Sequence, residues 1–187
     1  MWNAANPTKK QLVWNPITES EFEAYLGILL FAGVSRSNNE HTHELWKSSA
    51  HPLYHASMGQ ERFYIVSRYI RFDNGASRPQ RLRTDKAAAI TDIWLMLNRN
   101  LQECYIPGPN ITVDEQLYPY RGGTRFTQYI PSKPVKYGIK VWWVCDSATS
   151  YPIKGQIYTG LAPSGERETN QGERVVKDVL QFIQGKW

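Results

Sequence analysis

The chain contains few cysteines and no long apolar run. Its 187 residues include two cysteines, Cys104 and Cys145, which are too few for the disulfide framework of a small secreted domain. The longest apolar run, residues 24–34, is shorter than the roughly 20 residues that cross a bilayer as a helix. The sequence also lacks a phosphate-binding P-loop, a dinucleotide glycine motif, a nucleophile elbow and an HExxH zinc motif. It therefore predicts no disulfide scaffold, no membrane span and none of these enzyme classes.

Aromatic and basic residues are abundant instead. Aromatic side chains make up 13% of the chain, with seven tryptophans and eleven tyrosines, and 41% of all residues are hydrophobic. This composition predicts a folded protein with a substantial core. The formal net charge of +5 favours an anionic partner such as nucleic acid, although charge alone says nothing about the fold.

Upstream of Pro107-Gly108-Pro109, apolar residues recur at helical spacing. Thr18 and Glu21 have the spacing of a capping box, and the helix that follows them is expected to be buried on most sides. Thr84 or Asp85 is expected to cap the clearest helix of the sequence. The residues expected on the buried face of that helix are Ile90, Ile93, Trp94, Leu97, Leu101 and Cys104.

Downstream of the same boundary the pattern is typical of strands. The candidate strands are Ile111–Leu117, Tyr137–Cys145 and Tyr151–Thr159. The last two are joined by a turn of hairpin length that begins at Asp146. The middle strand is apolar on both faces except for Lys140, as expected of a central strand. An amphipathic helix follows, from Val175 to Ile183.

The sequence therefore predicts an α+β protein in three parts. Residues 1–16 form a flexible arm, and residues 17–106 form a helical domain. Residues 107–187 form a β-β-β-α unit, because three strands are followed by one helix.

Asp114 is the candidate site residue. It lies within an otherwise apolar strand, where an unpaired buried carboxylate is costly. A bound metal ion would relieve that cost, since Mg²⁺ takes one or two protein carboxylates. The alternatives are a salt bridge to Arg121 or Lys140, or simple exposure to solvent. Glu115 is expected to point to the opposite face of the sheet and to be structural.

Basic side chains are concentrated in two segments. Between residues 62 and 86, seven cations oppose two acids, and between residues 121 and 140 five cations have no acid among them and alternate with tyrosines. Such cations can neutralise phosphates, and tyrosines can stack on exposed bases. A solvated surface over packed tyrosines is an equally weighted interpretation. The candidate DNA-binding residues are Arg71, Arg81, Arg83, Arg121, Arg125, Lys133, Lys136 and Lys140.

Several segments of the sequence resemble the piggyBac transposase family. Residues 21–37 and 44–49 look like its first helical block, and residues 62–74 resemble its arginine-phenylalanine-aspartate signature. The strongest resemblance lies in residues 111–152, which begin with the motif ITVDEQLYPYRGG. The resemblance covers most of the chain in collinear order.

This resemblance implies a fold and a chemistry. Such transposases have a ribonuclease-H-like, integrase-like catalytic domain in which three aspartates bind Mg²⁺ or Mn²⁺, and a helical dimerisation and DNA-binding domain precedes it. They excise a DNA element through hairpin ends and reinsert it at TTAA sites. By motif position, Asp114 corresponds to the first of the three aspartates. The implied partners are the double-stranded DNA of transposon ends and a second copy or parent transposase, in the nucleus and away from membranes.

The sequence also departs from the family pattern. Arg121-Gly122-Gly123 stands where the family has Arg-Gly-Arg, so one basic residue is lost. The family's second aspartate follows the last helix, whereas this sequence stops at Trp187, and neither Asp146 nor Asp178 is expected to replace it. The leading hypothesis is therefore a transposase fragment, with a truncated ribonuclease-H-like half domain, that holds no stable metal and does not cut DNA alone. The alternatives are a domesticated DNA-binding or dimerisation module and a decayed fragment without a function.

Overall fold

A computed structural model describes residues 14–47, 49, 51–160 and 170–184. The chain divides into two compact units, Met1–Ile70 and Arg71–Trp187. The described part of the first unit is helical, and the second unit combines helices with an antiparallel sheet. The expected α+β class is confirmed at this level. The predicted arm falls almost wholly outside the described residues.

Four α-helices make up the described part of the first unit. They are α1 (Glu19–Val34), α2 (Thr42–Leu45), α3 (Pro52–Ser57) and α4 (Gln60–Tyr69). The hydroxyl of Thr18 accepts a hydrogen bond from the Glu21 N–H at 3.2 Å, and the Glu21 carboxylate accepts one from the Thr18 N–H at 3.1 Å. The predicted capping box is therefore confirmed, and it satisfies amide groups that the helix itself leaves unpaired.

Aromatic residues dominate the core of the first unit. Tyr54 is fully buried, and the buried Trp46 donates its indole N–H to the carbonyl oxygen of Met58 at 2.8 Å. The rings of Trp46 and Tyr54 lie 5.3 Å apart. At the start of α1, Glu21 accepts a hydrogen bond from Arg62 of α4 at 2.9 Å. The two longest helices of the unit are thus joined by an ion pair as well as by the core.

α1 is less buried than its sequence predicts. Tyr25 and Ile28 enter the core, but Leu30 is 73% exposed and Val34 is 82% exposed. Apolar residues surround this helix, so packing along one side leaves the rest in solvent. The prediction of burial on most sides is wrong. The exposed residues, which we call the α1 apolar surface, are Leu26, Leu29, Leu30 and Val34.

The second unit is built on a four-stranded antiparallel sheet. Its strands are β1 (Ile111–Pro119), β2 (Gln128–Tyr129), β3 (Tyr137–Asp146) and β4 (Pro152–Ile157), and its helices are α5 (Arg78–Arg81), α6 (Thr91–Glu103) and α7 (Gln171–Gln184). β3 is central, with β1 paired along one side and β2 and β4 along the other. The three predicted strands, the central position of the middle one and the last helix are confirmed. The two-residue β2 was not predicted.

α6 begins later than its sequence predicts. Its N-cap is Ile90, so the prediction of Thr84 or Asp85 as the cap is wrong. Asp85 lies in the turn before the helix. Its carboxylate accepts a hydrogen bond from the hydroxyl of Thr91 and another, at 2.8 Å, from the Ala87 N–H. The carboxylate therefore fixes the turn that leads into the helix.

The buried face of α6 matches the predicted stripe only in part. Ile93 and Leu97 are 40% and 41% exposed, whereas Trp94 and Asn98 bind β4. The indole N–H of Trp94 donates to the carbonyl oxygen of Gly155 at 3.2 Å, and the Asn98 side-chain oxygen accepts from the Gly155 N–H at 2.6 Å. α6 therefore belongs with the sheet, although the sequence placed the domain boundary after it, near residue 107.

Asp146 closes β3 and organises the turn into β4. It is buried, and its carboxylate accepts hydrogen bonds from the N–H groups of Gly108 at 2.7 Å, Thr149 at 3.0 Å and Ala148 at 2.8 Å. These bonds, Gly108 first, lower the pKa of Asp146 to about 2. The predicted role of Asp146 as a turn residue is confirmed. The same carboxylate also holds the segment that enters β1.

Candidate functional site

Asp114 lies in the middle of β1 with its side chain exposed. Its carboxylate accepts a hydrogen bond from the N–H of the next residue, Glu115, at 2.7 Å. Within the described residues it has no salt bridge, to Arg121, to Lys140 or to any other cation. Of the alternatives that the sequence left open, exposure to solvent therefore explains why an acid is tolerated in this strand.

The face of the sheet that carries Asp114, here called the Asp114 face, is polar and aromatic along β1. Asp114 lies opposite Trp143 of β3, and directly opposed residues of an antiparallel pair point to the same side. The indole N–H of Trp143 donates to the hydroxyl of Tyr118 at 2.9 Å, and that hydroxyl donates to the side-chain oxygen of Gln116 at 2.8 Å. A chain of hydrogen bonds thus fixes the side chains beside the carboxylate.

The opposite face, here called the Glu115 face, is covered by α7. Glu115 is half-buried and forms a salt bridge with Lys133 at 3.4 Å. The ammonium group of Lys140 lies 4.4 Å from the ring centre of Trp142 and donates to the side-chain oxygen of Gln171, the first residue of α7, at 3.2 Å. Two of the predicted DNA-binding lysines therefore lie on the face away from Asp114.

The remaining cations of this segment lie in the connections between strands. Arg121 and Arg125 are exposed in the β1–β2 connection, and Lys136 is exposed just before β3. Phe126 is 4% exposed and anchors the first connection in the protein. Between residues 116 and 145 the sequence contains no acid, so these three cations stand in an uncompensated stretch of chain.

Tyr120 lies against Gly122, the middle residue of Arg121-Gly122-Gly123. A β-carbon added at Gly122 would overlap the Tyr120 hydroxyl group, so the ring lies against bare backbone. Tyr120 remains 39% exposed. The glycine at this position therefore keeps an aromatic ring beside the exposed arginine, Arg121.

The upstream basic segment is more neutralised than its sequence suggests. The Asp73 side chain is buried and accepts two hydrogen bonds from Arg78, the longer one from its Nε at 2.9 Å, and one from Arg81 at 2.5 Å. Arg78 first, and Arg81 with it, lower the pKa of Asp73 to about 2. Arg81, a predicted DNA-binding residue, is thus a partner of Asp73, while Arg71 and Arg83 are exposed. Sequence reasoning missed the role of Asp73, although its spacing of five and eight residues from two arginines is a usable signal.

The described residues include the three aspartates weighed as metal ligands in the sequence, Asp114, Asp146 and Asp178. Across the described part of the chain, no group of three or more histidine, cysteine, aspartate or glutamate side chains could hold a metal. Asp146 is enclosed by backbone amides, and Asp178 forms a salt bridge with Arg174 at 2.9 Å. Within the described residues, Asp114 is thus not part of a group that could hold a metal ion by itself. Among the described helices, none has the length and apolar character needed to cross a membrane.

Comparison with known proteins identifies relatives across most of the chain. A family model described as Transposase IS4 matches residues 1–186. The human PiggyBac transposable element-derived protein 3 and the human chimeric ERCC6-PGBD3 protein are each 26% identical over 154 residues, 81% of this chain, which amount to 25% and 14% of those proteins. The chain thus spans about a quarter of the first of these relatives.

A solved structure gives the same result at the level of the fold. The cryo-EM structure of a piggyBac transposase synaptic complex with hairpin DNA matches with a TM-score of 0.80 and 32% identity, covering 92% of this chain and 37% of that one. The family model, the curated relatives and the structural match agree, and this chain belongs to the piggyBac transposase family.

Proposed function

We propose that this chain is a DNA-binding part of a piggyBac-type transposase and that Asp114 is one of its metal-binding carboxylates. The observation that carries the proposal is the exposed Asp114 in the middle of β1, which has no salt bridge to any described residue and precedes a segment with exposed cations and no acid. In this proposal the sheet and α7 are the first half of a ribonuclease-H-like domain. Cleavage at TTAA, a nuclear location and binding of transposon ends are expectations for the intact transposase.

The cations that serve DNA in this proposal are the exposed ones. Arg121, Arg125 and Lys136 lie in strand connections, and Arg71 and Arg83 are exposed in the upstream segment. Lys133, Lys140 and Arg81 hold other parts of the protein, so they contribute less to binding. A relative in the family was solved as a complex with hairpin DNA, which supports DNA as the partner here.

Duplex binding is tested by its dependence on salt. The observed binding constant of a protein that neutralises phosphates falls linearly with salt on logarithmic axes, by about 0.9 per phosphate contact. We expect replacement of both Arg121 and Arg125 by glutamine to reduce that slope by roughly 2 on a 24-bp duplex. Lys177→Gln, a change at an exposed lysine of α7 that pairs with Glu173, is the matched control. Binding that does not change with salt would contradict the proposal.

We also propose that the chain alone does not cleave DNA. Phosphoryl transfer of this type uses a pair of metal ions that clamp the attacking and leaving oxygens. One carboxylate supplies too few ligands to hold both ions. Incubation with Mg²⁺ or Mn²⁺ and labelled duplex DNA is expected to give no strand cleavage. Cleavage that persists in purified protein and disappears in Asp114→Asn would overturn this part of the proposal and leave the DNA-binding part intact.

A second candidate function is self-association through the first unit. The α1 apolar surface leaves Leu30 and Val34 largely exposed, and contiguous exposed apolar residues often mark interfaces. If this surface joins two copies, sedimentation should show a dimer that Leu30→Glu converts to a monomer. A wild-type protein that stays monomeric at high concentration would exclude this role. Dimerisation would then depend on other parts of a parent transposase.

A further inference from the structure

Two tyrosines form an exposed pair where β2 meets β3. Tyr129 and Tyr137 lie directly opposite each other in the strand register, with ring centres 4.7 Å apart and ring planes inclined by 40°. Tyr129 is 53% exposed and Tyr137 is 59% exposed. The pair therefore presents aromatic surface to solvent although it is held in a fixed geometry.

The pair belongs to the Asp114 face of the sheet. Side chains alternate along a strand, so Tyr137 and Trp143, six residues apart on β3, point to the same side. Asp114 lies opposite Trp143. At a rise of about 3.3 Å per residue, the tyrosine pair lies roughly 20 Å from Asp114 along the strand direction. A single strand of nucleic acid a few nucleotides long can span this distance.

The pair is not needed to anchor its own loop. Phe126, three residues before Tyr129, is 4% exposed and fixes that connection in the interior. If the tyrosines served only to hold β2 against β3, burial of their outer faces would serve better than exposure. Their exposure leaves those faces available for contact with a planar ligand.

The charge of the chain segment that contains the pair indicates what kind of ligand that is. Arg125 and Lys136 are exposed, and Lys136 adjoins Tyr137 in the chain. No acid occurs from residue 116 to residue 145. Exposed aromatic rings next to cations are the arrangement by which proteins hold single-stranded nucleic acid, with bases on the rings and phosphates on the cations. A stacked, fully paired duplex does not present base faces to such a surface.

We propose that Tyr129 and Tyr137 are a stacking platform for unpaired bases of a DNA strand that runs along the Asp114 face. The platform rests on the proposed DNA-binding function and adds a preference to it. DNA with a bulge or loop binds more tightly than a paired duplex of the same length, because only unpaired bases can reach the rings.

The test uses the full 187-residue chain and two DNA probes. One probe is a 24-bp duplex, and the other is the same duplex with a central bulge of four nucleotides, one of them 2-aminopurine. Wild-type protein is expected to bind the bulged probe at least tenfold more tightly and to quench the 2-aminopurine fluorescence, since stacking quenches it. Tyr129→Ala and Tyr137→Ala are each expected to remove most of this preference while changing duplex affinity less than twofold. A loss of about tenfold per ring is within the range measured for base–aromatic stacking.

Two controls separate stacking from stability. Tyr129→Phe and Tyr137→Phe keep an aromatic ring and are expected to keep the preference. Tyr64→Ala removes a tyrosine of the first unit with similar exposure, 43%, and is expected to change neither probe. Circular dichroism melting of each variant checks that the fold persists. The quenching of 2-aminopurine fluorescence by wild-type protein reports stacking directly, so it does not depend on whether a variant folds.

Each outcome decides between the two proposals. Equal binding of both probes, or a bound bulge without quenching, overturns the platform while duplex binding stands. Alanine variants that weaken both probes alike also overturn it, because the rings then only shape the surface. If wild type binds the bulge, with quenching that depends on the tyrosines, but does not bind duplex, the platform is supported and the duplex part of the proposed function fails. No binding of either probe overturns both.

Discussion

The two faces of the sheet differ although their defining acids are adjacent in the chain. Glu115 lies on the face covered by α7 and forms a salt bridge with Lys133. Asp114 is exposed to solvent and lies opposite Trp143 of the neighbouring strand β3. Strand alternation alone separates them. α7 covers the Glu115 face, whereas α6 packs against Trp143 on part of the Asp114 face and Asp114 itself is exposed. Two neighbouring acids of one strand can thus be paired or exposed according to a single step along the chain.

The largest expected effect comes from disrupting the covered face. Val175 of α7 is 2% exposed and packs with Val144 and Ile153. Val175→Asp places an unpaired carboxylate in that core, and we expect it to lower the free energy of unfolding by about 3 kcal/mol or more. Urea denaturation followed by tryptophan fluorescence measures this change. Val176→Asp, at the 40%-exposed neighbour, is the control; if the two variants unfold alike, α7 does not cover the Glu115 face.

A smaller effect is expected where α6 meets β4 on the Asp114 face. A β-carbon added at Gly155 would lie 2.6 Å from the Trp143 ring and 2.7 Å from the Trp94 ring. Gly155→Ala therefore forces two tryptophans apart and is expected to cost about 1–3 kcal/mol in the same measurement. Gly123→Ala, where an added β-carbon meets nothing within 4 Å, provides the matched change. A neutral Gly155→Ala would show that α6 is loosely held.

Acid is expected to destabilise the whole sheet, because the Asp146 carboxylate is hydrogen-bonded both to the segment that precedes β1 and to the turn that follows β3. Its folded pKa of about 2 lies below the ordinary value of 3.8. The stabilisation is therefore complete above about pH 4 and is lost as the pH falls from 4 towards 2. Asp146→Asn should lower the melting temperature by several degrees at pH 7 and flatten its dependence on pH in this range. Asp73 also has a pKa of about 2, so part of the pH dependence of the melting temperature should remain in Asp146→Asn. If this variant shows the same pH dependence as wild type, the assignment to Asp146 is contradicted.

The smallest effect separates the two acids directly. The salt bridge between Glu115 and Lys133 is partly buried, and a double-mutant cycle with Glu115→Gln and Lys133→Gln should give a coupling of about 0.5–1 kcal/mol that decreases with salt. Asp114→Asn should change the free energy of unfolding by less than about 0.5 kcal/mol, since no ion pair is lost within the described residues. A strongly destabilised Asp114→Asn would mean that the carboxylate has a structural role.

Local signals in the sequence predicted much of this fold. The capping box at Thr18 and Glu21 and the alternation along β1 need only neighbouring residues, and both were predicted correctly. The buried side of α6 was predicted only in part. Trp94 contacts β4 as expected, but Asn98 was missed, because the choice of face depends on Gly155, 57 residues from Asn98. In the same way, sequence alone counted Arg81, Lys133 and Lys140 as part of a basic surface. Their partners are fixed by tertiary packing, which a count of charges does not contain.

The hydrogen bonds from Trp94 and Asn98 to Gly155 have a consequence for how the sheet can grow. Both backbone groups of Gly155 that point away from β3 are already occupied by side chains of α6, so this rim is closed to an incoming peptide at that point. β1 forms the other rim of the sheet. Any segment that docks there, from this polypeptide or another, arrives alongside Asp114.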